Sequence, residues 1–191
     1  MEFAQFSKNS LRVVGYPRSG NVFLNHAISL LFFPEKGIDS VYHTVKKIQE
    51  EEHVFTPIRD PLDCLASWCL FREVLGDPQN KRSIEEDMIF YIRFHKGVLE
   101  NLHKITLLDF ESFTSDLLYL TKKIDESVGI KPLHSVSIDQ VKKSMLANEK
   151  AINLPRSNNQ EKNFVKELVK KEYLFKECLE LYNQIKNNYV N

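Results

Sequence analysis

The apolar positions change period several times along the chain, and each change marks an element. Leu11-Arg12-Val13-Val14-Gly15-Tyr16 is a β-branched run that stops at Pro17, the pattern of a buried strand. Ser19 and Gly20 open a helical stretch from about Asn21 to Phe33, which Pro34 ends. A weaker strand pattern over Ser40–Thr44 precedes a short charged helix, Val45–Glu52. His53–Ile58 reads as another buried strand, and Asp60-Pro61 starts a helix that runs to about Leu75. Gly76-Asp77-Pro78-Gln79-Asn80 is a loop. Helical spacing returns over Ile84–His103, Ile105–Phe110 is a strand, and helices follow over about Thr114–Val128 and Ile138–Leu146. One long helix is expected over Glu161–Lys186, with Phe164, Leu168, Phe175, Cys178, Leu179, Tyr182 and Ile185 on its apolar stripe. Strands alternating with helices predict an α/β fold with a mainly parallel central sheet flanked by helices. Ligands of such sheets bind at the carboxyl ends of the strands. The loops after Tyr16, Ile58 and Phe110 are therefore where a site is expected.

Composition narrows the classes. A chain of 191 residues suits one domain, 1–191, and buries roughly 70% of its unfolded surface without needing disulfides or a structural metal. Its 26 basic residues balance its 26 acidic ones, which argues against a general nucleic-acid binder. The longest apolar run, Ala27–Phe33 with Ser29 inside it, is far short of the roughly 20 residues of a membrane span. The opening residues MEFAQFSKNS show neither a basic n-region nor an apolar h-region, so no signal peptide is expected. Cys64, Cys69 and Cys178 are odd in number and lack CxxC spacing, so reduced thiols and a cytoplasmic location are expected. Cys64 and Cys69 read as core residues, and no metal cluster can be built from them.

The first loop, Gly15-Tyr16-Pro17-Arg18-Ser19-Gly20, lies between a buried strand and a helix and keeps the two glycines of a GxxxxGK[ST] phosphate loop. Asn21 and Val22 stand where that motif needs its lysine and its hydroxyl. Metal-assisted triphosphate chemistry thus lacks its two main electrostatic supports. A helix N-terminus preceded by the Arg18 guanidinium remains, and that combination favours a small anion. The plainer reading is a tight turn with Ser19 as the helix cap and Arg18 in solvent. The second loop repeats the theme. Arg59 ends a strand, Asp60-Pro61 begins a helix, and Ser67 lies eight positions after Arg59, about two helical turns on. Here the plainer reading is a helix capped by Asp60 with Ser67 packed inside.

Together the two loops resemble those of the sulfotransferases that use 3′-phosphoadenosine 5′-phosphosulfate (PAPS). The family's first loop reads like Tyr-Pro-Lys/Arg-Ser-Gly-Thr-Thr, and Tyr16-Pro17-Arg18-Ser19-Gly20 is similar to it in the arginine form. Its second signature has an arginine and, eight positions later, a serine, as Arg59 and Ser67 stand here around Asp60-Pro61-Leu62-Asp63. Ile105–Phe113 looks like the family's strand ending in Tyr-Glu-Asp-Leu, with Phe110 in place of the tyrosine, and Gly129-Ile130 follows as in the family. The resemblance threads most of residues 11–130.

The resemblance implies a P-loop NTPase-like three-layer fold and transfer of a sulfuryl group from PAPS to a hydroxyl or amine, with 3′,5′-diphosphoadenosine (PAP) as product and no metal. Pro17, Arg18, Ser19, Gly20, Asn21 and Val22 would hold the 5′-phosphosulfate, and Arg18 would stabilise charge on the bridging oxygen. Arg59 and Ser67 would hold the 3′-phosphate. Arg156 corresponds to one residue of a late Arg-Lys-Gly loop. His43 is the nearest counterpart of the general base, although Val41 and Tyr42 replace the Lys-Thr pair that precedes it in the family; His26 is a weaker rival. The acceptor would be a small molecule or a carbohydrate. It would face the Phe71–Arg82 loop, with Arg72, Glu73, Asp77, Lys81 and Arg82, and the helix from Ile84; a mixed charge run of that kind also reads as solvated surface. Two other classes stay open: a non-catalytic nucleotide-binding or interaction protein on the same scaffold, and a small-molecule kinase, which the missing lysine and hydroxyl oppose.

Overall fold

Parallel strands bury both faces, so their side chains must be apolar in both directions. The computed structural model, which describes residues 11–36, 41–75, 83–148 and 159–187, shows such a sheet. Strands β1 (Arg12–Val13), β2 (Val54–Ile58) and β3 (Ile105–Asp109) pair in parallel in that order, with Arg12 opposite Val54 and Val54 opposite Ile105. Beyond the other edge of β1, Val14 forms a single parallel bridge with Tyr42, and the Gly15 N–H donates to the Tyr42 carbonyl at 3.0 Å. The strand expected over Ser40–Thr44 is thus one bridge among the described residues, and Ser40 lies outside them.

Nine α-helices are seen among the described residues: α1 (Asn21–Phe32), α2 (Val45–Glu50), α3 (Pro61–Leu75), α4 (Ile84–Glu100), α5 (Phe110–Ser115), α6 (Leu117–Val128), α7 (Ile138–Asn148), α8 (Asn159–Lys171) and α9 (Phe175–Ile185). Strand alternation sorts them into two layers. Leu11, Val13, Phe55 and Leu108 join a core with α1, α5, α6 and α7. Val14, Val54, Ile58 and Leu107 join one with α2, α3, α4, α8 and α9. The sheet therefore lies between two helical layers, as an α/β chain with parallel strands requires. None of the helices is long and apolar enough to cross a membrane, among the described residues.

Two predicted helices are each a pair. Asp109 accepts from the Ser112 N–H at 3.0 Å and caps α5, and Asp116 accepts from the Leu118 N–H at 2.8 Å and caps α6. Two aspartate caps thus replace the single start expected near Thr114. The C-terminal helix breaks at Glu172–Leu174, which lets α8 and α9 turn different faces to the core. Val165 and Val169 are the buried residues of α8, whereas Phe164 is 66% exposed. A stripe drawn through one continuous helix runs out of phase once the helix is cut.

Lys162 and Lys166, one turn apart on α8, both reach the same oxygen of Asp63 in the first turn of α3, at 2.8 and 2.7 Å. Burial raises the Asp63 pKa, but the two ammonium groups outweigh it and hold the carboxyl at about 2. A carboxyl held below its unfolded value of about 3.9 stabilises the fold above that pH, and the contribution disappears as pH falls towards 2. With Asp63 partly exposed, solvent screening limits it to about 1 kcal/mol. Asp63→Asn is expected to lose that amount at pH 7 and to flatten urea unfolding midpoints between pH 4 and 2. An unchanged pH profile would show that the lysines do not hold α8 to α3.

Thr56, at the centre of β2, is fully buried, and its hydroxyl has no hydrogen-bond partner. An unmatched buried hydroxyl costs on the order of 1 kcal/mol. Thr56→Val keeps the β-branched shape and is expected to raise the urea midpoint by about that amount. A lower midpoint would show that the hydroxyl is bonded in solution.

Candidate anion-binding site

The carboxyl ends of β1 and β2 carry the first two loops, and the geometry of the first loop depends on its two glycines. A Cβ on Gly15 would lie 2.1 Å from Asn21 Oδ1 and 2.9 Å from the Pro57 ring. Gly20 sits at φ 100°, with the Phe110 ring 2.5 Å from where a Cβ would be. Space at Gly15 admits the Asn21 side chain, whose amide donates to the carbonyls of Tyr16 at 2.7 Å and Gly15 at 3.3 Å. Ser19 is buried, and its hydroxyl donates to the Tyr16 carbonyl at 2.6 Å. Both side chains brace the loop from inside, so the Asn21 amide is spent on the loop's own carbonyls. The expected cap at Ser19 is not formed. Gly20 is the N-cap and offers no side chain, which leaves the first-turn N–H groups of α1, including those of Asn21 and Val22, without a side-chain partner.

Arg18 adopts φ 64° and is the one residue other than glycine with positive φ among the described residues. That conformation costs about 1–2 kcal/mol for a residue with a Cβ. Its contacts include these: the Arg59 guanidinium donates from Nη1 to the Arg18 carbonyl at 2.8 Å, Arg18 Nε donates to Ser67 Oγ at 3.1 Å, and the Arg18 guanidinium lies over the Phe71 ring at 4.9 Å. Arg18 from the first loop and the Arg59–Ser67 pair expected from the second are therefore one cluster, in which the Ser67 hydroxyl is bonded to Arg18. Arg18 is not a solvated loop arginine, and Ser67 is not an interior helix residue. Asp60 does cap α3, accepting from the N–H groups of Leu62 and Asp63 at 2.9 and 3.2 Å. Arg59 also lies over the Phe110 ring at 4.2 Å, and its Nε is buried without a hydrogen-bond partner. Pro17 is buried, and its carbonyl accepts from the Cys64 thiol at 3.1 Å. Burial pushes the thiols of Cys64, Cys69 and Cys178 up to about 12, so none is a thiolate at neutral pH.

His43 reaches the same loop from the bridge segment, with Nδ1 2.7 Å from the Gly15 carbonyl. A carbonyl can only accept, so Nδ1 carries the proton and Nε2 keeps its lone pair. Burial lowers the His43 pKa and outweighs the opposing bond to Gly15, so the ring is neutral at pH 7. His26 is turned away from the loop, with Nδ1 3.0 Å from Ser144 Oγ on α7. Arg156 lies outside the described residues, as do Asp77, Lys81, Arg82 and the side chain of Glu73.

The sequence did not point to Asp87. It is fully buried on α4 and accepts from Trp68 Nε1 at 3.1 Å and from Cys69 Sγ at 3.6 Å, and it pairs with Arg72. Its carbonyl accepts from the Tyr16 hydroxyl at 3.1 Å, which ties α4 to the first loop. Arg72, read as acceptor-facing or solvated, is instead 13% exposed and part of this cluster. The signal was present: Asp87, Tyr91, Phe94 and Val98 follow the four-three-four spacing of one helix face, and a carboxylate in an apolar stripe needs a buried partner.

A groove of about 620 Å³ between Leu31, Leu117 and the 132–138 segment lies at the far end of α1, roughly 17 Å along the helix from Gly20. It holds no part of the cluster. No group of three or more His, Cys, Asp or Glu stands close enough to hold a metal ion among the described residues. Comparison of the chain with protein-family models, with curated proteins and with solved structures finds no match.

Proposed function

We propose that the chain is a PAPS-dependent sulfotransferase on a P-loop NTPase-like scaffold. The observation that carries the reading is the convergence of Arg18, Arg59 and Ser67 beside an uncapped helix N-terminus, at the carboxyl ends of two parallel strands. Backbone N–H groups and a guanidinium in that arrangement bind a small anion through charge-assisted hydrogen bonds. Two arginines suit a ligand with two anionic ends, the 5′-phosphosulfate at Arg18 and the 3′-phosphate at Arg59 and Ser67. Sulfuryl transfer then resembles phosphoryl transfer in needing position and charge stabilisation above all. The Ser19 N–H is spent on the Tyr16 carbonyl at 3.2 Å, so Arg18 and the N–H groups of residues 20–22 would stabilise the charge that develops on the bridging oxygen as the S–O bond breaks. His43 would take the acceptor's proton on Nε2 while Nδ1 stays on Gly15.

His43→Ala is expected to lower the transfer rate by 100-fold or more while leaving PAP affinity unchanged. A neutral base with a lowered pKa also predicts a wild-type rate that is flat above pH 7 and falls on acidification. Normal turnover in the variant would move the base elsewhere. A second reading, a nucleotide-binding protein without catalysis, is favoured by one observation: the Asn21 amide is committed to the loop's own carbonyls, and Val22 has no hydroxyl. Turnover with labelled PAPS across an acceptor panel separates the two.

A further inference from the structure

The two arginines are bonded to each other through the main chain, and this has an energetic consequence. Arg18 holds φ 64° in the loop that leads into α1, and its carbonyl is the group that Arg59 Nη1 grips at 2.8 Å. The Arg59 guanidinium is itself held over the Phe110 ring at 4.2 Å, and the Arg59 main chain stands just before α3, where Asp60 caps the helix. We propose that Arg59 is a positioning residue for the first loop, clamping Arg18 in the left-handed conformation, and that the two ends of the anion site are thereby coupled. The coupling rests on the nucleotide reading above; the clamp does not.

An anion drawn to Arg59 fixes the guanidinium where Nη1 meets the Arg18 carbonyl. The first loop is then already ordered when a second anion arrives at Arg18 and the α1 N-terminus. The ordering cost is borne once for two ligands, which is positive cooperativity and must be reciprocal. Glycine at position 18 would adopt the same backbone without a clamp, so the clamp can be tested apart from any ligand.

Two measurements on the full chain decide the matter. In the first, urea midpoints are taken for wild type, Arg59→Lys, Arg18→Gly and the double variant. Lysine keeps the positive charge but not the fork that reaches the carbonyl. The expected result is a fall in midpoint on Arg59→Lys that shrinks by at least half in the Arg18→Gly background. An equal fall in both backgrounds would overturn the clamp, because a merely structural arginine is indifferent to position 18. If Arg59→Lys does not fold in the wild-type background but folds in the Arg18→Gly background, the clamp is supported; failure to fold in both overturns it.

In the second, wild type is titrated with adenosine 3′-monophosphate in the presence and absence of inorganic pyrophosphate, and in the reverse order. Each fragment is expected to tighten the other by about 3–10-fold, equally in both orders. Independent binding or mutual weakening would overturn the coupling and leave the nucleotide reading standing. Absence of binding by either fragment would overturn both the coupling and the reading beneath it.

Discussion

Replacement of Asp87 by alanine is expected to lower the free energy of unfolding by about 3–5 kcal/mol, read from urea denaturation, because it leaves the Arg72 guanidinium buried without its counter-ion. Asp87 is fully buried and gathers Trp68, Cys69 and Arg72 from three positions on α3, so the loss also removes the groups that hold α3 against α4. The size of the effect comes from taking the carboxylate away from a buried guanidinium, not from the worth of the pair. Removing both charges together, in Arg72→Met with Asp87→Leu, should therefore recover most of the loss, since a buried ion pair exchanged for apolar side chains is often near neutral. A single-variant loss below about 1 kcal/mol would mean that water reaches the pair. A double variant as unstable as Asp87→Ala would mean that the hydrogen bonds, from Trp68 above all, matter more than the charge.

The second large effect falls on Arg18. Its replacement by alanine should weaken PAP binding by about 30–150-fold, the loss of one charged hydrogen-bonding group of about 2–3 kcal/mol. Arg18→Gly should weaken binding as much, since neither residue carries a guanidinium. The two should differ in stability. Alanine must still hold φ 64°, which glycine does freely, so the glycine variant is expected to be the more stable by about 1 kcal/mol. Equal stabilities would show that position 18 is not left-handed in solution. Unchanged affinity in both variants would remove Arg18 from the site.

Those two residues also mark how far the sequence could be read. The three parallel strands, the helices that follow them, and the convergence of two Arg-bearing loops were legible because β-branched runs, Pro61 and the Gly15–Gly20 spacing are local signals. The left-handed Arg18 was not, because nothing in the chain says that an arginine rather than a glycine takes positive φ; the distant Arg59, Ser67 and Phe71 make it tolerable. Asn21 shows the same limit. Its type fits a donor to a ligand, and only the space above Gly15 turns its amide inward. Asp116 and the Glu172–Leu174 turn divide helices that periodicity alone runs together, since an aspartate inside a polar stretch looks like any solvated residue until its side chain accepts from the next turn.

Calorimetric titration with 3′,5′-diphosphoadenosine, beside 5′-ADP and ATP–magnesium, tests the proposed site as a whole. Two arginines that share one ligand predict micromolar binding of the 3′,5′-compound, and binding of 5′-ADP at least tenfold weaker for want of the phosphate at Arg59 and Ser67. ATP–magnesium should not exceed 5′-ADP, because no lysine follows Gly20 to meet a γ-phosphate. Equal binding of all three, or binding of none, would contradict the assignment of Arg18, Arg59 and Ser67 to a nucleotide bearing a 3′-phosphate.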